Sequence, residues 1–270
     1  MQSGTGPNHV ALREAWTAAR AAGAVVTSRG IQERKPARNP AGPRVVSSIM
    51  MKSRKRLATI LTPLLSLVLL AGTLGASFPD PPAASADAAG PSEQVVLAGG
   101  CFWGMEAVFE QLKGVSRVVS GYAGGAAATA HYEMVSTGTT GHAESVEITF
   151  DPKQISFGQI LKVYFSVAHD PTELDRQGPD DGTQYRSSIF FTTPAQQHLA
   201  ESYIKALDAS KVFERPIVTT VVPLKGFYAA EDYHQHFAAR NPYYPYIVFN
   251  DAPKLKALRQ QYPQLVVATR

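Results

Sequence analysis

The only cysteine in 270 residues sits where an apolar run turns into a helix-like one, at Gly99-Gly100-Cys101-Phe102-Trp103-Gly104-Met105-Glu106. A single cysteine allows no intramolecular disulfide, so the fold must rest on burial and hydrogen bonding alone. Gln94 to Leu97 has strand character and Phe102 to Leu112 has helix character, with glycines on both sides of the thiol. A helix N-terminus presents unpaired N–H groups and partial positive charge, which favour thiolate over thiol. A free cysteine is also a small hydrophobe that packs well in a core. Position alone leaves both readings open.

The charge divides the chain. Residues 1–86 carry 11 Lys and Arg against 3 Asp and Glu, and residues 87–270 carry 15 against 19. The basic excess therefore belongs to the N-terminal segment, and the remainder has no basic face or motif that would bind nucleic acid. Residues 1–49 are poor in large apolar side chains and are expected to be disordered, or to come from an over-extended reading frame that truly starts at Met50 or Met51. Lys52 to Arg56 is a positive stretch, and Leu57 to Pro79 is uncharged. Ala84-Ser85-Ala86 then supplies a small-residue cleavage pattern, so residues 50–86 read as an export signal. The uncharged run is also long enough for a membrane anchor. The expected location is periplasmic or extracellular, with anchoring as the alternative. A linker at 87–92 leads into a domain at 93–270, which is large enough to fill its own core.

Along that domain, Val115 to Val119 is a β-branched run ending in Gly121-Tyr122-Ala123-Gly124-Gly125. From Glu144 to Phe150 the residues alternate, placing Glu144, Val146, Ile148 and Phe150 on one strand face. Glu144 is thus a carboxylate on an apolar face, where desolvation raises a pKa. Ser156 to Gln159 and Thr193 to Gln196 are capping boxes that open helices. Strands are expected near Ser187 to Thr192 and Ile217 to Val222, and helices over Ala229 to Ala239 and Lys254 to Gln261. Several links between adjacent strands are too short for a parallel crossover. The expectation is an α+β fold of two layers, a ferredoxin-like mixed or antiparallel sheet covered by helices.

Cys101, Tyr132, Glu144, Asp180 and Tyr185 all fall in loops or at strand ends. Each also has an ordinary structural reading: a packed tyrosine, a salt-bridging glutamate or a turn-capping aspartate. His234 and His236 diverge by roughly 200° if helical and would not share a metal. Cys101 with His142 or His169 would make a hydrolase dyad, but the local patterns of such enzymes are absent.

The motif set resembles the A-type peptide-methionine (S)-S-oxide reductases, the methionine sulfoxide reductase A family, over nearly all of residues 94–262. The resemblance rests on Gly100-Cys101-Phe102-Trp103-Gly104, Gly121-Tyr122-Ala123-Gly124-Gly125, Thr140-Gly141-His142-Ala143-Glu144, His169-Asp170-Pro171, Arg176-Gln177-Gly178, Gly182-Thr183-Gln184-Tyr185-Arg186 and Ala230-Glu231-Asp232-Tyr233-His234-Gln235. It implies Cys101 as nucleophile on the sulfoxide sulfur and Glu144 as the acid at its oxygen. Tyr132 and Tyr185 would hydrogen-bond that oxygen, Asp180 would support the site, and Phe102 and Trp103 would wall the methyl pocket. It also implies reduction of the S epimer in oxidised peptides and proteins, by a monomer needing no metal or organic cofactor. Family members commonly hold a second, resolving cysteine. Here Ser136 occupies one of its places, and the tail Val266 to Arg270 has no thiol. A sulfenic acid on Cys101 would then be restored by an external thiol, a thioredoxin-like or glutaredoxin-like protein, or dithiothreitol in vitro. Thr129-Ala130 and Pro179 also depart from the family pattern. The alternative is a catalytically weak redox-sensing or oxidised-methionine-binding module on the same fold.

Overall fold

The computed structural model describes residues 78–82, 90 and 92–268. The segment at 1–49 and the export segment up to residue 77 lie outside the described residues, as do most of residues 83–91. No helix among the described residues is long and apolar enough to cross a membrane.

Order along the chain is β1 (Glu93–Ala98), α1 (Phe102–Phe109), β2 (Val115–Ala123), α2 (Tyr132–Val135), β3 (Ala143–Phe150) and α3 (Phe157–Val163). Then come the two-residue strands β4 (Arg176–Gln177) and β5 (Asp180–Asp181), followed by β6 (Ser188–Phe191), α4 (Pro194–Ser210), β7 (Thr220–Pro223), β8 (Phe227–Ala229), α5 (Phe237–Arg240) and α6 (Ala252–Gln261). The main sheet has strand order β7-β6-β1-β3-β2-β8. Its inner four strands, β6-β1-β3-β2, pair antiparallel throughout, which is the arrangement of a split β-α-β core. A parallel strand, β7, is added at one edge and an antiparallel strand, β8, at the other. The sheet is thus mixed, covered by helices, and α+β as expected.

β1 lies at the centre, and its residues explain why. Val95 and Leu97 point into the large core under the helices, with Val146, Ile148 and Phe150 of β3. Val96 and Ala98 point to a smaller cluster on the other face, with Ala123, Ala143 and Phe190. A strand buried on both faces reads as a continuous apolar run, and burying each valine or leucine contributes about 1.5–3 kcal/mol.

Both capping sites form. Ser156 accepts from Gln159 N–H at 3.2 Å while Gln159 returns a bond to Ser156 N–H at 2.9 Å. Thr193 caps α4 through Gln196 N–H, but the Gln196 side chain turns to Thr192 and to the Gln94 carbonyl of β1 instead. The cap therefore also ties α4 to the sheet.

The helix expected over Ala229 to Ala239 is not there. Phe227–Ala229 is an edge strand on β2, followed by turns and the single-turn α5. The apolar period is overruled by side chains reaching distant backbone: Gln235 bonds Ser120 N–H and both the Ser120 and Ala230 carbonyls. His236 then takes φ +52, a left-handed conformation no α-helix continues through.

Phe78–Pro82, which the sequence assigns to the export segment, packs on the domain. Phe78 meets Phe213 edge-on at 6.0 Å, and the Pro79 carbonyl accepts from the fully buried Tyr203 hydroxyl at 2.7 Å. Asp80 pairs with Lys162 of α3 at 2.5 Å.

Candidate active site

β1 delivers Cys101 to the N-cap of α1, with Gly100 making the turn at φ +88. A Cβ on Gly100 would meet the Gln177 side chain at 2.5 Å, so glycine is required there by backbone angle and by space. Cys101 is 8% exposed. Its thiol is pushed well above the ordinary cysteine range, first by burial and then by the carboxylates of Glu144, Asp251 and Asp180. Only the Trp103 backbone N–H pulls it down. The helix start expected to favour thiolate is present, but its contribution is about 0.3–1 kcal/mol, whereas burial can shift a pKa by several units. The resting group is the thiol.

The helix start serves Glu144 instead. Its Oε2 accepts the Phe102 backbone N–H, the first of α1, at 3.1 Å. Glu144 pairs in register with Tyr122 on β2, is 4% exposed, and shares its face with buried Val146, Ile148 and Phe150. Burial pushes its carboxyl up to about 8, with Asp180 adding to the rise and the Phe102 bond opposing it. At neutral pH Glu144 is a carboxylic acid, as its strand face predicts.

Tyr132 begins α2 and Tyr185 ends a 3-10 turn (Thr183–Tyr185). Both phenols are held protonated by burial and by the Glu144 carboxyl, and both also feel Cys101. Asp180 accepts a short hydrogen bond from the Tyr246 hydroxyl. The five polar residues expected from the sequence are therefore assembled closely enough for each to feel the charge of others.

Phe102 is fully buried, with its ring against Tyr122 and His234. Trp103 is partly buried. It stacks on Phe237 at 3.8 Å, meets Tyr246 edge-on at 5.9 Å, and donates its indole N–H to His234 Nδ1 at 3.2 Å. Gly104 lets α1 approach the C-terminal segment, because a Cβ there would lie 2.0 Å from Asp251 Oδ1.

Sequence reasoning assigned no role to Glu231, His234, Tyr246 or Asp251. Glu231 accepts from the Tyr122 hydroxyl at 2.8 Å and the Tyr132 N–H at 3.0 Å, which fixes Tyr132 against β2. His234 orients Trp103, and Tyr246 orients Asp180. Asp251, fully buried beside Lys254 at 3.3 Å, adds negative charge behind the thiol. Glu231 and His234 lie in a motif already singled out. Asp251, just ahead of Pro253, reads in sequence as an ordinary helix start. The dyad histidines are engaged elsewhere: His142 with the Gly125 N–H and Ala126 carbonyl, His169 with the Tyr164 carbonyl.

One protonated acid, two phenols and one thiol, gathered this way, can deliver protons to an oxygen while sulfur attacks its neighbouring atom. That is the equipment of a thiol-dependent reductase. The comparisons agree. The family model described as peptide methionine sulfoxide reductase matches residues 93–265. Peptide methionine sulfoxide reductase MsrA 2 of Mesorhizobium japonicum is 59% identical over 174 residues, covering 64% of this chain and 89% of that protein. The MsrA 2 of Synechocystis is 55% identical over 171 residues, covering 63% and 80%. Among solved structures, methionine sulfoxide reductase A of Corynebacterium diphtheriae aligns at 36% identity and TM-score 0.51, covering 57% of this chain and 78% of that one. Reduced Mxr1 from Saccharomyces cerevisiae aligns at 31% identity and TM-score 0.53, covering 57% and 88%. The chain belongs to the peptide methionine sulfoxide reductase family. Its activity is the thiol-dependent reduction of methionine sulfoxide.

Proposed function

We propose that Cys101 attacks the sulfoxide sulfur of an (S)-methionine sulfoxide residue while Glu144 protonates its oxygen. The observation that carries this is the neutral, buried Glu144 carboxyl held by the first N–H of the helix that Cys101 caps. A sulfoxide is a poor electrophile until its oxygen is protonated, and an acid near pKa 8 is suited to that task. The proton passes from Glu144 to the oxygen, and the thiol proton restores Glu144. The attack forms a bond between the Cys101 sulfur and the substrate sulfur. The substrate sulfur–oxygen bond then breaks as the oxygen passes to the Cys101 sulfur, and the sulfur–sulfur bond breaks with its electron pair going to the methionine sulfur. Methionine leaves, and Cys101 becomes a sulfenic acid. Tyr132 and Tyr185 donate to the same oxygen and fix which sulfoxide hand fits, while Phe102 and Trp103 wall the methyl group.

The sequence holds no second thiol, so an external thiol condenses with the sulfenic acid, releasing water, and a second thiol equivalent frees Cys101 as the disulfide of the reductant forms. A thioredoxin-like or glutaredoxin-like protein supplies those thiols. The enzyme works outside the cytoplasm, as the positive and apolar stretches at 52–79 suggest, and repairs oxidised peptides and proteins there. The test is turnover of a methionine-sulfoxide peptide with dithiothreitol, following each epimer by chromatography. Consumption of the S epimer alone supports the proposal; consumption of neither epimer by folded protein contradicts it.

A further inference from the structure

His236 meets two carboxylates, Glu106 of α1 and Glu110 at the C-cap of that helix. Glu106 and Glu110 are one turn apart on that helix, so their side chains share a face. His236 Nδ1 lies 2.6 Å from Glu110 Oε1 and 3.7 Å from Glu106 Oε1. One ligand atom from each of the three residues falls within 4.8 Å of the others. The His236 backbone N–H also donates to Glu106 Oε2 at 2.8 Å, which locks the left-handed turn that aims the imidazole inward.

Glu106 is 1% exposed, and its Oε1 has no hydrogen-bond partner. The buried Ser120 hydroxyl on β2 faces this carboxyl without reaching bonding geometry, and it is unpartnered too. Leaving a buried carboxylate oxygen unsatisfied costs about 1–3 kcal/mol or more, so such an atom points to an absent partner. A cleft of about 640 Å³, lined by Glu110, His236, Gln235 and Asp232, opens beside the cluster to solvent.

We propose that Glu106, Glu110 and His236 bind a first-row divalent transition-metal ion, at a site separate from the reductase chemistry. Two carboxylate oxygens and one imidazole suit zinc, cobalt or manganese better than calcium, which prefers all-oxygen shells, or copper(I), which prefers sulfur. The cleft leaves room for water in the remaining positions. The donors come from α1 and from the segment that carries His234 and Phe237. A bound ion therefore staples Trp103's helix to the residues that stack on it and accept its N–H. The site does not depend on the catalytic reading above.

The test is isothermal titration of tag-free Cys101→Ser protein with Zn2+, which removes the only thiol as a competing ligand. One ion should bind per chain. His236→Asn, on an exposed residue whose left-handed backbone asparagine tolerates, should weaken binding by about a hundredfold or more. Glu106→Gln should do the same, and Co2+ should show a visible absorption band that is lost in both variants. Absence of stoichiometric binding, or equal binding in Cys101→Ser protein with and without His236→Asn, overturns the proposal. The first result would mean the orphan oxygen is satisfied by a proton, the second that other residues hold the ion.

Discussion

Glu144 shows most plainly how one residue's surroundings set its chemistry. Its pKa near 8 means that the protonated, proton-donating form is populated at and below neutral pH and is lost as pH rises through about 8. The rate constant for methionine release under saturating reductant should therefore fall on the alkaline side, with its midpoint near that value. Glu144→Gln should lower it by about 10²–10⁴-fold and remove the alkaline limb, since the amide cannot ionise. A full-rate Glu144→Gln enzyme would remove the acid assignment. Trp103 offers a second measurement, because it is the only tryptophan after residue 16. Its emission in the 78–270 domain should change when substrate oxidises Cys101, and Phe237→Ala, which removes its stacking partner, should shift the resting spectrum. An unchanged spectrum while a sulfenic-acid trap labels Cys101 would separate Trp103 from the reacting centre. Glu144 was legible in sequence because a strand's alternation fixes which side chains share a face. His234 and Tyr246 were not, because the Trp103–His234 and Asp180–Tyr246 contacts join residues 131 and 66 positions apart. No local pattern encodes such a meeting.

At the level of elements, capping chemistry located α3 and α4, strand alternation located β3 and a short apolar run located β1, since these signals are local. The helix expected over Ala229 to Ala239 does not form because the stabilising bonds of that stretch are long-range, from Glu231 and Gln235 to β2. The segment Phe78–Pro82 falls within the stretch read as an export signal, and its Pro79 carbonyl is the acceptor for a buried tyrosine. A domain beginning at residue 87 should be less stable than one beginning at residue 78. Loss of the Pro79 carbonyl alone strands the Tyr203 hydroxyl, at about 1–3 kcal/mol. Urea unfolding of the two proteins measures the difference, and Tyr203→Phe should recover part of the loss in the shorter one. Equal midpoints would show that the segment's packing contributes nothing. If the loss is found, an export cut before Phe78 preserves the domain's stability better than one after Ala86.

For the whole molecule, the inner four strands form a split β-α-β sheet whose centre, β1, runs out toward Cys101, the proposed nucleophile, while its neighbour β3 begins beside Glu144, the proposed acid. Antiparallel pairing of β1 with β3 is what brings a strand's end beside another strand's beginning, so the topology itself sets Cys101 and Glu144 together. The fold class was readable from element order, and the edge strand β7 overlaps the strand expected at Ile217 to Val222, but the three-residue edge strand β8 was too short to announce itself. One cysteine then sets the limit on what the protein can do unaided. Without reductant, the enzyme should carry out a single turnover. The most direct test is rapid mixing of reduced enzyme with excess methionine-sulfoxide peptide and no thiol, counting methionine against enzyme while a sulfenic-acid probe reports Cys101. The account predicts one methionine per chain, a matching yield of labelled Cys101, and neither in Cys101→Ser. Sustained turnover without reductant, or methionine formed by Cys101→Ser, would contradict it.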